Sequence, residues 1–296
     1  MKALVGAALL VFLSSGLVQA QGVSGRVFAS HDSDGFDEKI ATVGYQSLSG
    51  FGLKVGAMGY QAPGWSANGT LLGGTYLYDG SERRVDANLG MARLAGRDFA
   101  VGGIDYLRPI GVGTSVGLSV ERNYLNSILG IRDGLTYNQL AAVADYAFNS
   151  RFNVGLAGGS TLFSDDNRRP FLRTRWNYEL DPARGLNAYL KTRSYQNSSP
   201  QRPEYFSPGR LNEVSVGLST RVAVAERFVL SAKVDAGTQH ADGGAENIWS
   251  YSIGIGALRN APIIWGLSLE GSNTAQFSAA GAYRYTSLLG HVNVPF

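Results

Sequence analysis

The chain has 296 residues with 39 Gly, 13 Phe, 15 Tyr and 4 Trp, no Cys, a net charge of +3 and only 17% charged residues. This aromatic content with so little net charge excludes a disordered chain, and the lack of Cys excludes a disulfide-stapled scaffold or a Cys-ligated metal site. The net charge is too small for a typical nucleic-acid-binding protein, so we expect no nucleic-acid partner.

The first twenty residues have the features of a secretory signal peptide. Lys2 precedes an apolar run from Leu4 to Leu13, and Val18 and Ala20 form a small-x-small cleavage site. The run is too short for a transmembrane helix, and no later stretch approaches 18 consecutive apolar residues. We predict a signal peptide over 1–20, a mature domain over 21–296 and export through the periplasm.

The mature sequence alternates with a period of two residues. In segment 112–121, for example, Val116, Leu118 and Val120 share one face, and Gly, Ser and Glu121 share the other. About sixteen such segments occur, each roughly ten residues long and able to cross a bilayer when tilted. The predicted strands begin near Gly22, Glu38, Phe51, Asn68, Arg84, Asp98, Val112, Leu135, Arg151, Pro170, Gly185, Arg210, Arg227, Asn247, Pro262 and Ala275.

The connections between these segments alternate in length. SLSG, RPIG and VAER are short, whereas HDSDGFDEK, QAPGWSA, NYLNSILGIRDG, QNSSPQRPEYFSPG and HADGGAE are longer and polar; LAGR near Ala95 is the exception. Short periplasmic turns and longer external loops are typical of outer-membrane barrels. We therefore predict an all-β transmembrane antiparallel β-barrel of about 16 strands in the bacterial outer membrane, in contact with its lipid. A soluble sandwich needs more surface charge than this chain has.

Aromatic residues cluster at one set of predicted strand ends, as an interfacial girdle requires. The chain also ends in Phe296, preceded by Val294 and Val292 on the same face, which resembles the terminal signal of outer-membrane barrels. Pro295 interrupts this pattern, so we expect the last few residues to form a tail. The girdle residues are Tyr45, Phe51, Tyr106, Phe148, Phe152, Tyr178, Phe228 and Trp265.

The sequence offers little for catalysis. His31, His240 and His291 have no companions at metal-ligand spacing, and no HExxH, GxSxG or phosphate-loop pattern is present. We expect no enzymatic activity, no metal and no cofactor. A lipid-modifying barrel enzyme, with Ser and His brought together by folding, stays open as an alternative.

The polar strand faces are more informative, because they point into the lumen if the apolar faces meet lipid. Four basic residues on two consecutive strands predict a basic ladder on one wall, with Tyr189 beside it as a candidate for stacking on sugars. Attraction of an anionic passenger is one interpretation. The other is structural pairing with Glu121 and Glu213 as counter-charges. The ladder consists of Arg173, Arg175, Lys191 and Arg193.

Ahead of a strongly alternating strand, the chain carries the motif Tyr205, Phe206, Ser207, Pro208. This motif resembles one in the C-terminal barrel of cellulose-synthesis outer-membrane subunits and is similar to the Tyr-x-Asn-Pro version in poly-N-acetylglucosamine export porins. The resemblance implies a 16-stranded barrel that passes a nascent exopolysaccharide, with the motif in the outer loop or over the mouth. Those families carry a tetratricopeptide scaffold before the barrel, which this chain lacks, so a separate periplasmic scaffold protein is a possible partner.

The resulting functional hypothesis is a porin-like channel for a neutral or mildly anionic exopolysaccharide or similar hydrophilic solute. Three alternatives stay open. One is a general or anion-preferring diffusion porin, another is a plugged structural or surface-interaction barrel, and the third is the lipid-modifying enzyme.

Overall fold

The computed structural model describes residues 21–225, 227–258, 260–274 and 283–296. Over these residues the chain forms sixteen strands and one short helix. They are β1 (Gly22–Asp32), β2 (Asp37–Gln46), β3 (Phe51–Ala62), β4 (Trp65–Asp79), β5 (Arg84–Leu94), β6 (Arg97–Gly111), β7 (Thr114–Tyr124), α1 (Ile128–Asp133), β8 (Thr136–Ala147), β9 (Phe152–Phe163), β10 (Arg168–Asp181), β11 (Leu186–Gln196), β12 (Arg210–Val224), β13 (Phe228–Ala241), β14 (Gly244–Ala257), β15 (Ile264–Ser272) and β16 (Tyr285–Pro295).

Each strand pairs antiparallel with its neighbours in the sequence, and β1 pairs with β16 to close the barrel. The predicted 16-stranded all-β antiparallel barrel is therefore confirmed. Among the strands whose predicted start lies in the described residues, predicted and observed starts differ most at β4, Asn68 against Trp65, and at β14, Asn247 against Gly244. The predicted signal peptide over 1–20 and the predicted last strand start at Ala275 lie outside the described residues.

The C-terminal residues belong to the closing strand, so the predicted tail is wrong. Pro295 ends β16 directly opposite Gly22 of β1, and the backbone N–H of Phe296 donates to the Gln21 carbonyl at 2.9 Å. Proline is tolerated here because it stands at the end of a strand, where its missing N–H interrupts no central part of the ladder. The Phe296 ring stacks with Tyr45 at a centroid distance of 6.4 Å.

The two faces of the wall follow the sequence alternation. On β7, Val116, Leu118 and Val120 expose 37%, 54% and 46% of their surface on the outside of the barrel. Ser119 and Glu121 alternate with them and lie on the lumen face. Because large apolar side chains are exposed in this way around the wall, the outer surface suits contact with hydrocarbon rather than water.

At the end of the barrel where the chain termini lie, the strands carry a belt of aromatic rings on the outer surface. Neighbouring rings contact each other at centroid distances of 4.7–6.4 Å. Aromatic rings at this level match the interfacial girdle of membrane barrels. The contacting pairs are Tyr45–Phe296, Phe51–Tyr76, Tyr146–Phe148, Phe148–Phe152, Phe152–Trp176 and Phe228–Trp265.

At the opposite end, several connections are shorter than expected. The segments QAPGWSA and HADGGAE are mostly strand, and their turns comprise only residues 63–64 and 242–243. Asp242 and Gly243 have φ of 48° and 87°, as a tight type I′ hairpin turn requires. The exceptional short connection at Ala95 is also a tight turn, with φ of 52° there. The long connections at this end that the structure describes throughout are 125–135 and 197–209.

The helix α1 was not predicted and lies inside the first of these long connections. Ser127 caps its N-terminus, with the side chain accepting a hydrogen bond from the Gly130 N–H, and Gly134 closes it in the left-handed conformation. Such cap residues are a local sequence signal for a helix. The helix has six residues, and among the described residues no helix is long and apolar enough to cross a bilayer.

The two faces of β7 allow a matched test of the membrane orientation. We expect Leu118→Arg to lower the free energy of unfolding in lipid vesicles by about 2–4 kcal/mol, because it places a charge in hydrocarbon. The adjacent Ser119→Arg, on the lumen face opposite Asp105, is expected to change stability much less. Urea unfolding followed by heat-modifiable electrophoretic mobility measures both. Equal losses for the two variants would contradict the assigned faces.

Candidate functional site

The predicted basic ladder is assembled by the pairing of β10 with β11. Arg173 lies directly opposite Arg193, and Arg175 directly opposite Lys191, all on the lumen face. Like charges opposite each other on one face of a sheet repel unless neighbouring groups neutralise them. The surroundings of each cation therefore decide what this wall can bind.

The β11 half of the ladder is neutralised by acidic residues of the next two strands. Arg193 makes two hydrogen bonds to Glu213 of β12, one of them from Nε to Oε2 at 2.6 Å. Lys191 Nζ lies 2.8 Å from Asp235 Oδ1 of β13. The Tyr189 hydroxyl also donates to Asp235, at 2.9 Å to Oδ2. These pairs fit the structural interpretation, with Asp235 as the counter-ion of Lys191.

The β10 half is not neutralised in this way. Neither Arg173 nor Arg175 has a carboxylate within 4.0 Å among the described residues. The Arg175 guanidinium rests on the Tyr189 ring at 4.5 Å, and its Nε donates to Asn177 Oδ1 at 2.8 Å. The Arg173 guanidinium rests on the Phe171 ring at 4.8 Å. Its Nε is buried and has no hydrogen-bond partner in the described part of the chain.

Glu121, predicted as a counter-charge, interacts with Arg173 of the ladder at longer range but forms no direct ion pair with it. It stands on β7, where it accepts a hydrogen bond from the Tyr137 hydroxyl at 2.7 Å. The described residues contain no ion pair between it and the ladder. The order of strands explains this, because β8 and β9 separate β7 from β10.

The lumen has an acidic sector beside the basic one. Asp86 and Asp105 are cross-strand partners on β5 and β6, followed by Glu121 on β7 and Asp145 on β8. An interior cavity of about 350 Å³ joins this sector to the β10 wall. Its charged lining includes Arg26, Lys54, Asp86, Asp105, Glu121 and Arg173. A solute in this cavity meets charges of both signs.

The motif at 205–208 fixes the 197–209 connection inside the barrel mouth. Tyr205 is 1% exposed and stacks on Phe163 of β9 at 4.5 Å. Its hydroxyl accepts from Asn167 at 2.8 Å and donates to Asp165 at 3.1 Å. Burial raises the pKa of Tyr205, so this phenol stays protonated and available as a donor. The tyrosine is therefore an anchor for the connection.

The remaining motif residues contribute mainly backbone and hydroxyl contacts. The carbonyls of Phe206 and Pro208 accept hydrogen bonds from Arg169 and Asn197 at 2.7 Å and 2.6 Å. The Ser207 hydroxyl accepts from the backbone N–H of residue 202 at 2.7 Å. Arg169 was missed by the sequence analysis although it precedes the ladder on the same face of β10. Its guanidinium stacks on the rings of Phe163, Tyr195 and Tyr205.

The 125–135 connection also folds into the mouth. Ile131 of α1 is fully buried among lumen-facing residues that include Met58, Leu94 and Phe99. Asn126 donates to Glu38 of β2 at 2.9 Å, which ties the connection to the far side of the barrel. The Ser127 hydroxyl donates to the backbone carbonyl of residue 204 at 2.6 Å. The two long connections thus touch each other across the mouth and cover part of the lumen.

The described residues contain no group of three or more His, Cys, Asp or Glu side chains placed to hold a metal ion. His31 pairs with Asp37 at 2.8 Å near the rim of the wall, whereas His291 lies on the lumen face opposite Arg26.

Comparison with solved structures identifies proteins of similar fold. A structure described as a bacterial polysaccharide outer membrane secretin matches with a TM-score of 0.72 and 14% identity, over 93% of this chain and 98% of that chain. CdiB from Acinetobacter baumannii matches with a TM-score of 0.53 and 11% identity, over 93% of this chain and 60% of that chain. No protein-family profile and no curated protein sequence matches. At these identities the likeness shows a shared outer-membrane barrel fold.

The pairing of Arg193 with Glu213 predicts a distinctive stability pattern. We expect Arg193→Gln to lower the free energy of unfolding by about 3 kcal/mol, because it leaves a largely buried carboxylate without its partner. The double variant Arg193→Gln with Glu213→Gln is expected to recover most of this loss. Urea unfolding of the refolded barrel measures both values. A double variant that is no more stable than Arg193→Gln alone would contradict a direct charge pair.

Proposed function

We propose that the chain forms a channel in the bacterial outer membrane that passes a neutral or mildly anionic exopolysaccharide or similar hydrophilic solute. The channel carries out no reaction. In this proposal the outer surface of the barrel contacts outer-membrane lipid, and a separate periplasmic protein delivers the polymer to the end where the chain termini lie.

The observation that carries this proposal is the closed barrel with an interior cavity that polar and charged side chains line in part. Hydrated sugar chains need hydrogen-bond donors and acceptors along their path, and this cavity supplies both from Asn88, Asp105, Gln139 and Arg173. The motif at 205–208, which resembles that of polysaccharide exporters, and the fold shared with a polysaccharide outer membrane secretin support the same class of solute.

The connections in the mouth favour a second candidate, a barrel that is plugged and serves as a surface or structural element. Their contacts reach from Glu38 on β2 to Phe163 on β9 and include the bridge from Ser127 to the 197–209 connection. If these contacts persist in the membrane, solute passage is blocked at the mouth. The conductance of the refolded protein separates the two candidates.

We expect the refolded mature barrel to conduct ions in a planar lipid bilayer and soluble oligosaccharides to block the current. Long chains occupy the lumen and displace mobile ions, so block should strengthen with oligosaccharide length. Single-channel recording before and after addition of oligosaccharides of increasing length measures this. Equal current reduction by an uncharged polymer that has no sugar hydroxyls, matched for size, would favour a general diffusion porin. Absence of current in a demonstrably folded barrel would favour the plugged candidate.

The Ser127 bridge gives a test of the mouth connections. We expect Ser127→Ala to raise the fraction of time spent at the highest conductance level by about fivefold, since losing a helix cap costs about 1 kcal/mol. The bond to the 197–209 connection is lost as well. Single-channel dwell times measure the change. Ser49→Ala, in a turn at the opposite end of the barrel, is the control and should leave the dwell times unchanged. Equal dwell times in Ser127→Ala and the unmodified barrel would show that the bridge does not hold the mouth.

A further inference from the structure

In the wall formed by β10–β13, some of the charged side chains form ion pairs and others do not. Glu213 is held by Arg193, and Asp235 is held by Lys191 and the Tyr189 hydroxyl. These two carboxylates are therefore already engaged with the β11 cations. Among the described residues, the β10 cations Arg173 and Arg175 form no ion pair within 4.0 Å, and the carboxylates of Glu213, Asp235 and Glu121 act on them only at longer range.

The two guanidinium groups are also held in position. Each rests on an aromatic ring, Arg173 on Phe171 at 4.8 Å and Arg175 on Tyr189 at 4.5 Å. A ring face stabilises a cation without neutralising its charge or using all of its N–H donors. The two residues are separated by one residue on the same strand, so their backbones lie about 7 Å apart. The result is a pair of fixed cations along the path of a solute.

The unsatisfied Nε of Arg173 is a second and independent observation. Buried polar groups in proteins nearly always have a hydrogen-bond partner, and a buried donor without one costs about 1–3 kcal/mol. Arg173 also lines the interior cavity. An oxygen atom that enters from the cavity and accepts a hydrogen bond from this Nε–H would remove that cost. Carboxylate is well suited, because its two oxygens match the planar fork of donors that arginine presents.

We propose that Arg173 and Arg175 form a lumen subsite for the carboxylate of an acidic sugar residue, so that the solute of this channel is a uronic-acid-containing glycan. This inference rests on the proposed function and makes it more specific. Lys191 and Arg193 are positioning residues here, because their carboxylate partners fix the wall beside the subsite. The acidic sector formed by Asp86, Asp105 and Glu121 would repel a polyanion toward the β10 wall.

The test compares two hexasaccharides on single channels in planar bilayers, a hexamer of galacturonate and a hexamer of β-1,4-linked glucose. We expect the galacturonate hexamer to block the unmodified barrel at about tenfold lower concentration than the glucose hexamer. The preference should fall as the salt concentration rises from about 0.1 M to 1 M, because screening weakens attraction at the subsite.

The variants assign the preference to the two arginines. Arg173→Gln with Arg175→Gln is expected to raise the half-blocking concentration of galacturonate about tenfold and to leave block by the glucose hexamer unchanged. Arg173→Lys keeps the charge but loses the planar fork, so it should lose part of the preference, and it is the second variant if the double variant does not fold. Arg221→Gln removes an equal charge from the lumen face of β12 and should keep the preference.

The outcomes distinguish the inference from the proposed function. If both hexamers block the unmodified barrel equally, or if galacturonate block is the same in the double variant, the subsite is overturned while polysaccharide passage stands. If neither hexamer blocks an open channel, or no current flows, the proposed function fails and the subsite fails with it. If Arg221→Gln loses the preference as fully as the double variant, the overall charge of the lumen, not the subsite, is responsible.

Discussion

The constraint on which this structure depends is that a bilayer offers no hydrogen-bond partners to a polypeptide backbone. A β-sheet can satisfy that constraint only by closing into a barrel. Here closure joins Gly22–Asp32 to Tyr285–Pro295 in one antiparallel ladder, and the N–H of Phe296 extends the pairing by one bond. Once closure is imposed, every strand has one face in lipid and one in the lumen, which is why the sequence alternates almost throughout.

The same constraint concentrates the charges of the membrane segment in the lumen, and the register then decides which of them pair. Arg193 lies opposite Glu213 and forms an ion pair, whereas Lys191 lies opposite Ser215 and reaches Asp235 one strand further on. The cross-strand partners of Arg173 are Ala157 and Arg193, and neither carries a carboxylate. The unpaired cations on β10 are thus a consequence of register.

Strand positions and faces could be predicted because alternation is a local property of the sequence. The mouth could not, because its contacts join distant parts of the chain. The hydroxyls of Tyr60 and Tyr124 meet at 2.6 Å from β3 and β7, and Asn126 reaches Glu38 on β2. The polar ends of β4 and β14 were read as loops, since alternation weakens where both faces of a strand leave the hydrocarbon. Glu121 reaches Arg173 only at longer range, because a shared lumen face does not make distant strands neighbours.

The motif at 205–208, which suggested polysaccharide export, stabilises the 197–209 connection in which it lies. The Tyr205 hydroxyl is bonded to Asp165 and Asn167, and the carbonyls of Phe206 and Pro208 are occupied by donors from the wall and from the connection itself. These groups hold the 197–209 connection in the mouth and are not free to bind a passing solute. We therefore expect a solute to be bound by the wall below the mouth. There the guanidinium groups of Arg173 and Arg175 carry positive charge and N–H donors that are not taken up by ion pairs within the described residues.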